Sequence, residues 1–263
     1  MQLGDTLSPL TVMISHLPED ILLEFIDLLS SDIQTLRSCA QTSNAWAQRC
    51  QPYIFRMVSL EAESNPGPRY RKLRDVLEKN PSLADFTHEL HLYIGHVRSK
   101  VRASCDEVVD INNPELPQFL DRFNQLKQVS IAYSYRSRYI SIPETLVEPF
   151  AKIFGLESLR EATLFDFMHF PISILAHAPY VTNISLYSVD FDTQDPDKTP
   201  PTSPSQTPNR PPVRHRAPIS LAVKYCPPDI HQVLEELVRE RGGLFQYHWI
   251  ENLVLGPNCN DPE

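Results

Sequence analysis

The chain has 263 residues, with 24 Lys and Arg against 33 Asp and Glu, and its formal charge of -9 argues against a protein built to grip phosphate backbone. Apolar residues make up 41%, enough for a sizeable core plus polar linkers, while the 7 glycines are so scattered that neither G-x-G-x-x-G nor a Walker loop is spelled. The five cysteines (Cys39, Cys50, Cys105, Cys226 and Cys259) contain no C-x-x-C pair, which argues against a disulfide scaffold and a cysteine-based zinc module and for a reducing compartment.

Residues 1–14 carry no periodic signal and read as a loose lead-in. The N-terminal stretch has no basic region, and its short apolar run is broken by His16, so no secretory leader is expected. From His16 the pattern tightens. Pro18 suits a first helical turn, where its missing N–H costs nothing, and Glu19 and Asp20 suit the positive end of the helix dipole. Ile21, Leu22, Phe25, Leu28 and Leu29 then recur at helical spacing. Asp32 can cap a second helix carrying Ile33, Leu36, Cys39 and Ala40, and Ser43 a third that buries Trp46 and Cys50 and is interrupted by Pro52. A strand-like "YIFRMVSL" follows. Three helices of this size make a unit near the limit at which a core sustains itself.

The first helix is apolar on more than one side, because seven of the nine residues from Ile21 to Leu29 are apolar. A helix of that kind must be covered on most sides. Two short partner helices fall short of that, so either the following domain or another protein has to complete the cover.

After "NPGP" a helix with Arg69, Leu73, Val76 and Leu77 ends before Pro81. Strand and helix signals then alternate. The strands are "HELHLYIG", "LKQVSIAYS", "LREATLF", "VTNISLYSV", "ISLAVKY" and "ENLVLG". Between them stand "PELPQFLDRFNQL", "PETLVEPFAKIFG", "PISILAHAPY" and "PDIHQVLEELVRERGG", each opening on proline with apolar residues three or four apart. Such alternation favours parallel strands with right-handed crossovers. The step from Ala162 to Ile184 falls within the roughly 20–29-residue period of a leucine-rich repeat, whereas the earlier steps are longer. An irregular α/β solenoid is expected; an open α/β layer would show the same alternation.

Residues 192–217 break the pattern. Eight prolines fall from Pro196 to Pro218, no aromatic occurs, and Val213 is the lone large aliphatic residue, which is the composition of a disordered, polyproline-like insert. Thr199, Ser203 and Thr207 each precede a proline and suit proline-directed kinases, although any linker of this composition contains such pairs. Residues 257–263 read as a frayed tail. No stretch approaches 18 consecutive apolar residues, so no membrane span is expected.

Few residues invite catalysis. His88 and His91 are three apart on a strand and so point to opposite faces, and no H-E-x-x-H or G-x-S-x-G motif occurs. Cys39 and Cys50 take buried helix positions, where a thiol behaves as an inert hydrophobe. Basic clusters at Arg69–Arg74, Arg98–Arg102 and Arg136–Arg138 alternate with acids and read as solvated faces rather than a nucleic-acid surface. Tyr133, Tyr135, Arg136 and Arg138 interleave aromatic and positive residues after a strand, the composition of a protein-recognition loop as well as of ordinary packing.

Residues Leu17–Leu60 resemble an F-box. "LPEDILLEFIDLL" matches the family's opening, and "TLRSCAQTSNAW" its middle, with Leu36, Cys39, Ala40, Ser43 and Trp46 at the family's spacing. "IFRMVSL" looks like the exit that fungal members use. Asn44 departs from the family, which usually has a basic residue after the serine. The remainder, notably "FMHFPISILAHAPYVTNISLYSVDF", is similar to the irregular leucine-rich-repeat-like regions of fungal F-box proteins. The fold class this implies is α/β overall, a three-helix F-box over 15–62 followed by an irregular leucine-rich-repeat-like α/β solenoid over 63–191 and 218–256.

The resemblance further implies a non-catalytic adaptor of an SCF-type ubiquitin ligase, cytoplasmic or nuclear, without cofactor or metal. It would dock on Skp1, and through it on cullin, and would bind a protein substrate with the solenoid. Leu17, Pro18, Ile21, Leu22, Phe25, Ile26, Leu36 and Trp46 would face Skp1 or support the face that does, and Tyr133, Tyr135, Arg136 and Arg138 would border the substrate. Two other readings stay open at this point: a Skp1 partner outside the ligase, and a hydrolase using a Cys/His pair such as Cys226 and His231.

Overall fold

The computed structural model of the chain describes residues 18–60, 66–95, 108–134, 142–175, 178–192, 220–226 and 252–255. The lead-in, the proline-rich insert, the helix expected from "PDIHQVLEELVRERGG" and the tail lie outside the described residues. The chain divides into two compact units at Met57–Val58. That division precedes the boundary expected at residue 62, because the residues after Met57 join the sheet of the second unit.

The first unit holds three helices, α1 (Glu19–Leu28), α2 (Ile33–Ala40) and α3 (Asn44–Ile54). Pro18 stands just outside α1, and its carbonyl accepts the first helical hydrogen bond, from Leu22 N–H at 3.2 Å. Both expected caps are made. Asp32 accepts from the backbone N–H of Gln34 and Thr35 at 3.1 and 3.0 Å, and Ser43 Oγ accepts from Trp46 N–H at 3.3 Å. These bonds satisfy donors that the first turn of a helix leaves without partners. Pro52 does not end α3, which continues to Ile54; the proline withholds one donor, and the ladder resumes past it with Phe55 N–H donating to Gln51 O at 2.9 Å. The core is Ile26, Leu36 and Cys50, with Leu29, Ile33, Trp46, Tyr53 and Ile54 packed round it. Each aliphatic side chain enclosed there contributes about 1.5–3 kcal/mol. Burial, and next the neighbouring Cys39, push the Cys50 thiol above its ordinary value, which keeps it protonated and apolar.

The second unit is α/β with a mostly parallel sheet. Its strands are β1 (Met57–Leu60), β2 (Glu89–Gly95), β3 (Val109–Asp110), β4 (Gln128–Tyr133), β5 (Glu161–Phe165), β7 (Asn183–Tyr187), β9 (Ser220–Lys224) and β10 (Asn252–Leu255). They pair in the order β1-β2-β4-β5-β7-β9-β10, with β3 on β2, and a separate two-stranded sheet joins β6 (Phe170–Pro171) to β8 (Phe191–Asp192). All six expected strands are present, and from β2 to β10 they lie side by side in chain order and parallel. The helices are α4 (Pro66–Lys79), α5 (Leu116–Leu120), α6 (Glu144–Phe154) and α7 (Ile172–Leu175); α5 packs on α6 and α6 on α7, in the same sequence as the strands they connect. The expected helix α5 is short, most of "PELPQFLDRFNQL" being turn or loop, and within "PISILAHAPY" the described helix is Ile172–Leu175.

Strand alternation sets the core. Leu90, Val129, Ala162, Ile184 and Leu221 are register partners in one buried row, and Leu92, Ile131, Leu164, Leu186 and Val223 in the next. A slip by one residue would turn both rows outward. Phe119, Phe123, Phe150, Phe154, Phe167 and Phe170 fill the space beneath.

The ends of β5, β7 and β9 repeat one device. Asp166, Ser188 and Tyr225 each follow the last strand residue with φ of 61°, 52° and 56°, in the left-handed region, and the next residues, Phe167, Val189 and Cys226, are buried. Asp166 N–H donates to Tyr187 O at 2.8 Å and Ser188 N–H to Lys224 O at 2.9 Å, so the ladder runs one step past β5 and β7 before the chain turns in. A left-handed residue without glycine is uncommon. Its recurrence at equivalent positions makes these three strands repeats of one local structure.

Candidate interaction surfaces

The first surface lies on α1. Leu22 and Ile26 point into the helical unit at 7% and 0% exposure, and that single inward stripe uses up the cover that α2 and α3 provide. The other apolar residues are left outside, with Ile21 46%, Leu23 43%, Phe25 50% and Leu28 78% exposed. Phe25 meets Trp46 of α3 edge to face, with centroids 6.4 Å apart. Tyr53 of α3 hydrogen-bonds Asp27 of α1, and that bond, ahead of burial, raises the Tyr53 phenol above its ordinary value.

The residues expected to face a partner therefore separate. Pro18, Ile21 and Phe25 are exposed and Trp46 is half-buried, whereas Leu22, Ile26 and Leu36 are enclosed and can act only as support. Leu17 lies outside the described residues. Leu23 and Leu28 belong to the exposed set but not to the residues expected to face a partner, although the seven-in-nine apolar count already required some such residues.

The second surface is the outward face of the sheet. Its side chains alternate with the buried rows and are mostly half-exposed: Glu89, His91 and Tyr93 on β2, Gln128, Ser130 and Ala132 on β4, Glu161, Thr163 and Phe165 on β5, Asn183, Ser185 and Tyr187 on β7, and Ser220, Ala222 and Lys224 on β9. Phe165 and Tyr187 stack with centroids 4.7 Å apart and planes at 14°, and the Lys224 ammonium stands 5.6 Å from the Tyr187 ring centre. One edge is acidic and amide-bearing, with Asn183 Nδ2 donating to Glu161 Oε1 at 3.3 Å; the other is aromatic and cationic.

Tyr133 does not belong to this face. It is 4% exposed, and its ring lies 5.7 Å from that of Phe167, because the strand period turns it inward with Val129 and Ile131; the expectation that it borders a partner is corrected to a core role. Tyr135, Arg136 and Arg138 lie outside the described residues, as do Thr199, Ser203 and Thr207. His231 is also outside them, and Cys226 is buried, with Val189 N–H donating to its sulfur at 3.4 Å. His91 sits on β2, and His88 just precedes it. Among the described residues no group of three or more His, Cys, Asp and Glu side chains is arranged to hold a metal ion, and no helix is long and apolar enough to cross a membrane.

No family model, no curated protein and no solved structure matches this chain.

Proposed function

We propose that the chain is a substrate-recognition adaptor of an SCF-type ubiquitin ligase. In this reading the helical unit is an F-box that docks on Skp1, and the sheet unit is an irregular leucine-rich-repeat-like solenoid that receives a protein substrate. The observation that carries it is the set of apolar residues left exposed on α1: Ile21, Leu23, Phe25 and Leu28. Ile21, Phe25 and Leu28, at i, i+4 and i+7, share one face of this ten-residue helix, and burying them at about 25 cal/mol per Å² supplies affinity without charge pairing.

The solenoid reading is supported by strand order. A doubly wound layer reverses direction at a switch point, where its ligand binds. Here the strands from β2 to β10 run in chain order without reversal, and β5, β7 and β9 end in the same left-handed step. Stacked repeats of that kind present one continuous face of outward side chains. Chemistry on the bound substrate then belongs to other subunits, and this chain supplies selection.

Co-purification of the full chain tests the reading. Recovery of Skp1 together with cullin supports the ligase adaptor. Skp1 without cullin moves the chain to a Skp1 partner outside the ligase, and recovery of neither removes both.

A further inference from the structure

The outward face of the sheet contains a ladder with one rung absent. At the third outward position of successive strands the register aligns Tyr93, Ala132, Phe165, Tyr187 and Lys224. From Phe165 onward the ladder is filled, ring on ring at 4.7 Å and then ammonium near ring at 5.6 Å. Adjacent strands stand about 4.8 Å apart, which is the spacing of the ring pair. At Ala132 only a methyl group projects. Tyr93 and Phe165 flank it on strands about 9.6 Å from one another, so a flat group entering over Ala132 lies one stacking distance from each. All three residues are half-exposed.

Charge selects the flat group. Below Ala132 the outward column of β4 continues through Ser130 to Gln128, whose register partners on either side are Glu89 and Glu161. The exposed Glu161 adds its carboxylate to a chain of net charge -9. Midway along the furrow Ser130 stands between its register partners His91 on β2 and Thr163 on β5, so two hydroxyls border the path from one end to the other. The ladder already holds a cation against its far aromatic ring, at Lys224. A neutral ring would gain stacking alone, whereas a guanidinium gains stacking, attraction to the π faces and hydrogen-bond donors that meet hydroxyls and carboxylates.

We propose that the furrow over Ala132 binds an arginine side chain of an extended segment of a partner protein, with a second basic residue of that segment reaching the Glu161 end. From Ala132 to Gln128 the strand covers four residues, about 13 Å, so two arginines four apart match the two ends. The inference names a substrate class for the proposed adaptor and rests on that reading for its meaning in the cell; its residues all belong to the sheet unit, and its test needs no Skp1.

The experiment is fluorescence anisotropy of the full chain with a labelled Gly-Arg-Gly-Gly-Gly-Arg-Gly peptide and versions carrying lysine, citrulline or phenylalanine in place of arginine. The arginine peptide is expected to bind about tenfold more tightly than each of the others. Ala132→Phe, which fills the absent rung, should weaken it by about tenfold or more while the melting temperature and Skp1 capture stay at wild-type values. Glu161→Gln should weaken it a few-fold and flatten its salt dependence. If Ala132→Phe lowers the melting temperature, Phe165→Ser reads the same furrow from its wall and must give a comparable loss. Absence of saturable binding at millimolar peptide, equal binding of the citrulline or phenylalanine version, or full binding by Ala132→Phe would overturn the proposal. Any of these alongside normal Skp1 capture leaves the adaptor reading standing, and loss of Skp1 capture with intact peptide binding does the reverse.

Discussion

The ring of Trp46 stands nearly perpendicular to that of Phe25, at 86°, joining α3 to α1 on the outer side of the helical unit while Ile26 and Leu36 close its interior. The unit is therefore two-sided, with an apolar core of its own and a second apolar set that it leaves outside. The two sets should respond to substitution in opposite ways.

Leu36 is fully enclosed, so Leu36→Ala removes packed methyl groups and leaves a cavity. A loss of about 2–5 kcal/mol is expected. Leu28, the most exposed of the α1 residues, should tolerate Leu28→Gln within about 0.5 kcal/mol. Chemical denaturation followed by circular dichroism measures both.

Gly95 ends β2 where β3 and the end of β4 close in. A Cβ added there would stand 2.8 Å from Ser134 Cβ, closer than real side chains approach, and both residues are buried. Gly95→Ala should cost about 1–3 kcal/mol through forced backbone movement. Ser134→Gly in the same chain should restore much of it, a coupling that a double-mutant cycle reads directly.

Tyr70 packs edge-on against Phe119, with centroids 4.9 Å apart, and its hydroxyl makes no hydrogen bond among the described residues. Burial pushes the phenol up to about 12, with the Arg74 guanidinium pulling the other way. The folded value lies above the ordinary 10, so the unfolded chain gives up its proton first as pH rises. The stability that this phenol contributes is whole below the ordinary value and is lost as pH climbs towards about 12. Tyr70→Phe should remove that alkaline slope from melting curves and, at neutral pH, leave stability unchanged or raise it by up to about 1 kcal/mol.

Much of the architecture was legible because local periodicity encodes it. All six strands of the parallel series follow alternating runs, and Asp32 and Ser43 announce α2 and α3 by the chemistry of helix caps. Strands β3, β6 and β8 leave no sequence signal, since two residues are too few to show a period, and the shortness of α5 follows from turns that apolar spacing does not register. The apolar excess of α1 was readable; which of its residues face outward depended on where α2 and α3 pack. Tyr133 closes the strand "LKQVSIAYS", and it is the strand period, not the Tyr/Arg composition that follows, that decides its direction and turns it inward. The furrow over Ala132 was not legible at all, because it exists only once the register sets Tyr93 and Phe165 on either side of that residue.

The most direct measurement is capture of Skp1 by the full chain, wild type against the double variant Ile21→Asp/Phe25→Asp. Ile21 and Phe25 are about half exposed, so the variant should keep the wild-type circular dichroism spectrum and lose only the Phe25–Trp46 contact, about 0.5–1.5 kcal/mol of stability. The account predicts stable capture by the wild type and a loss of more than about 30-fold in affinity for the variant. A wild-type chain that fails to bind Skp1, or a folded variant that binds as tightly as the wild type, would contradict it.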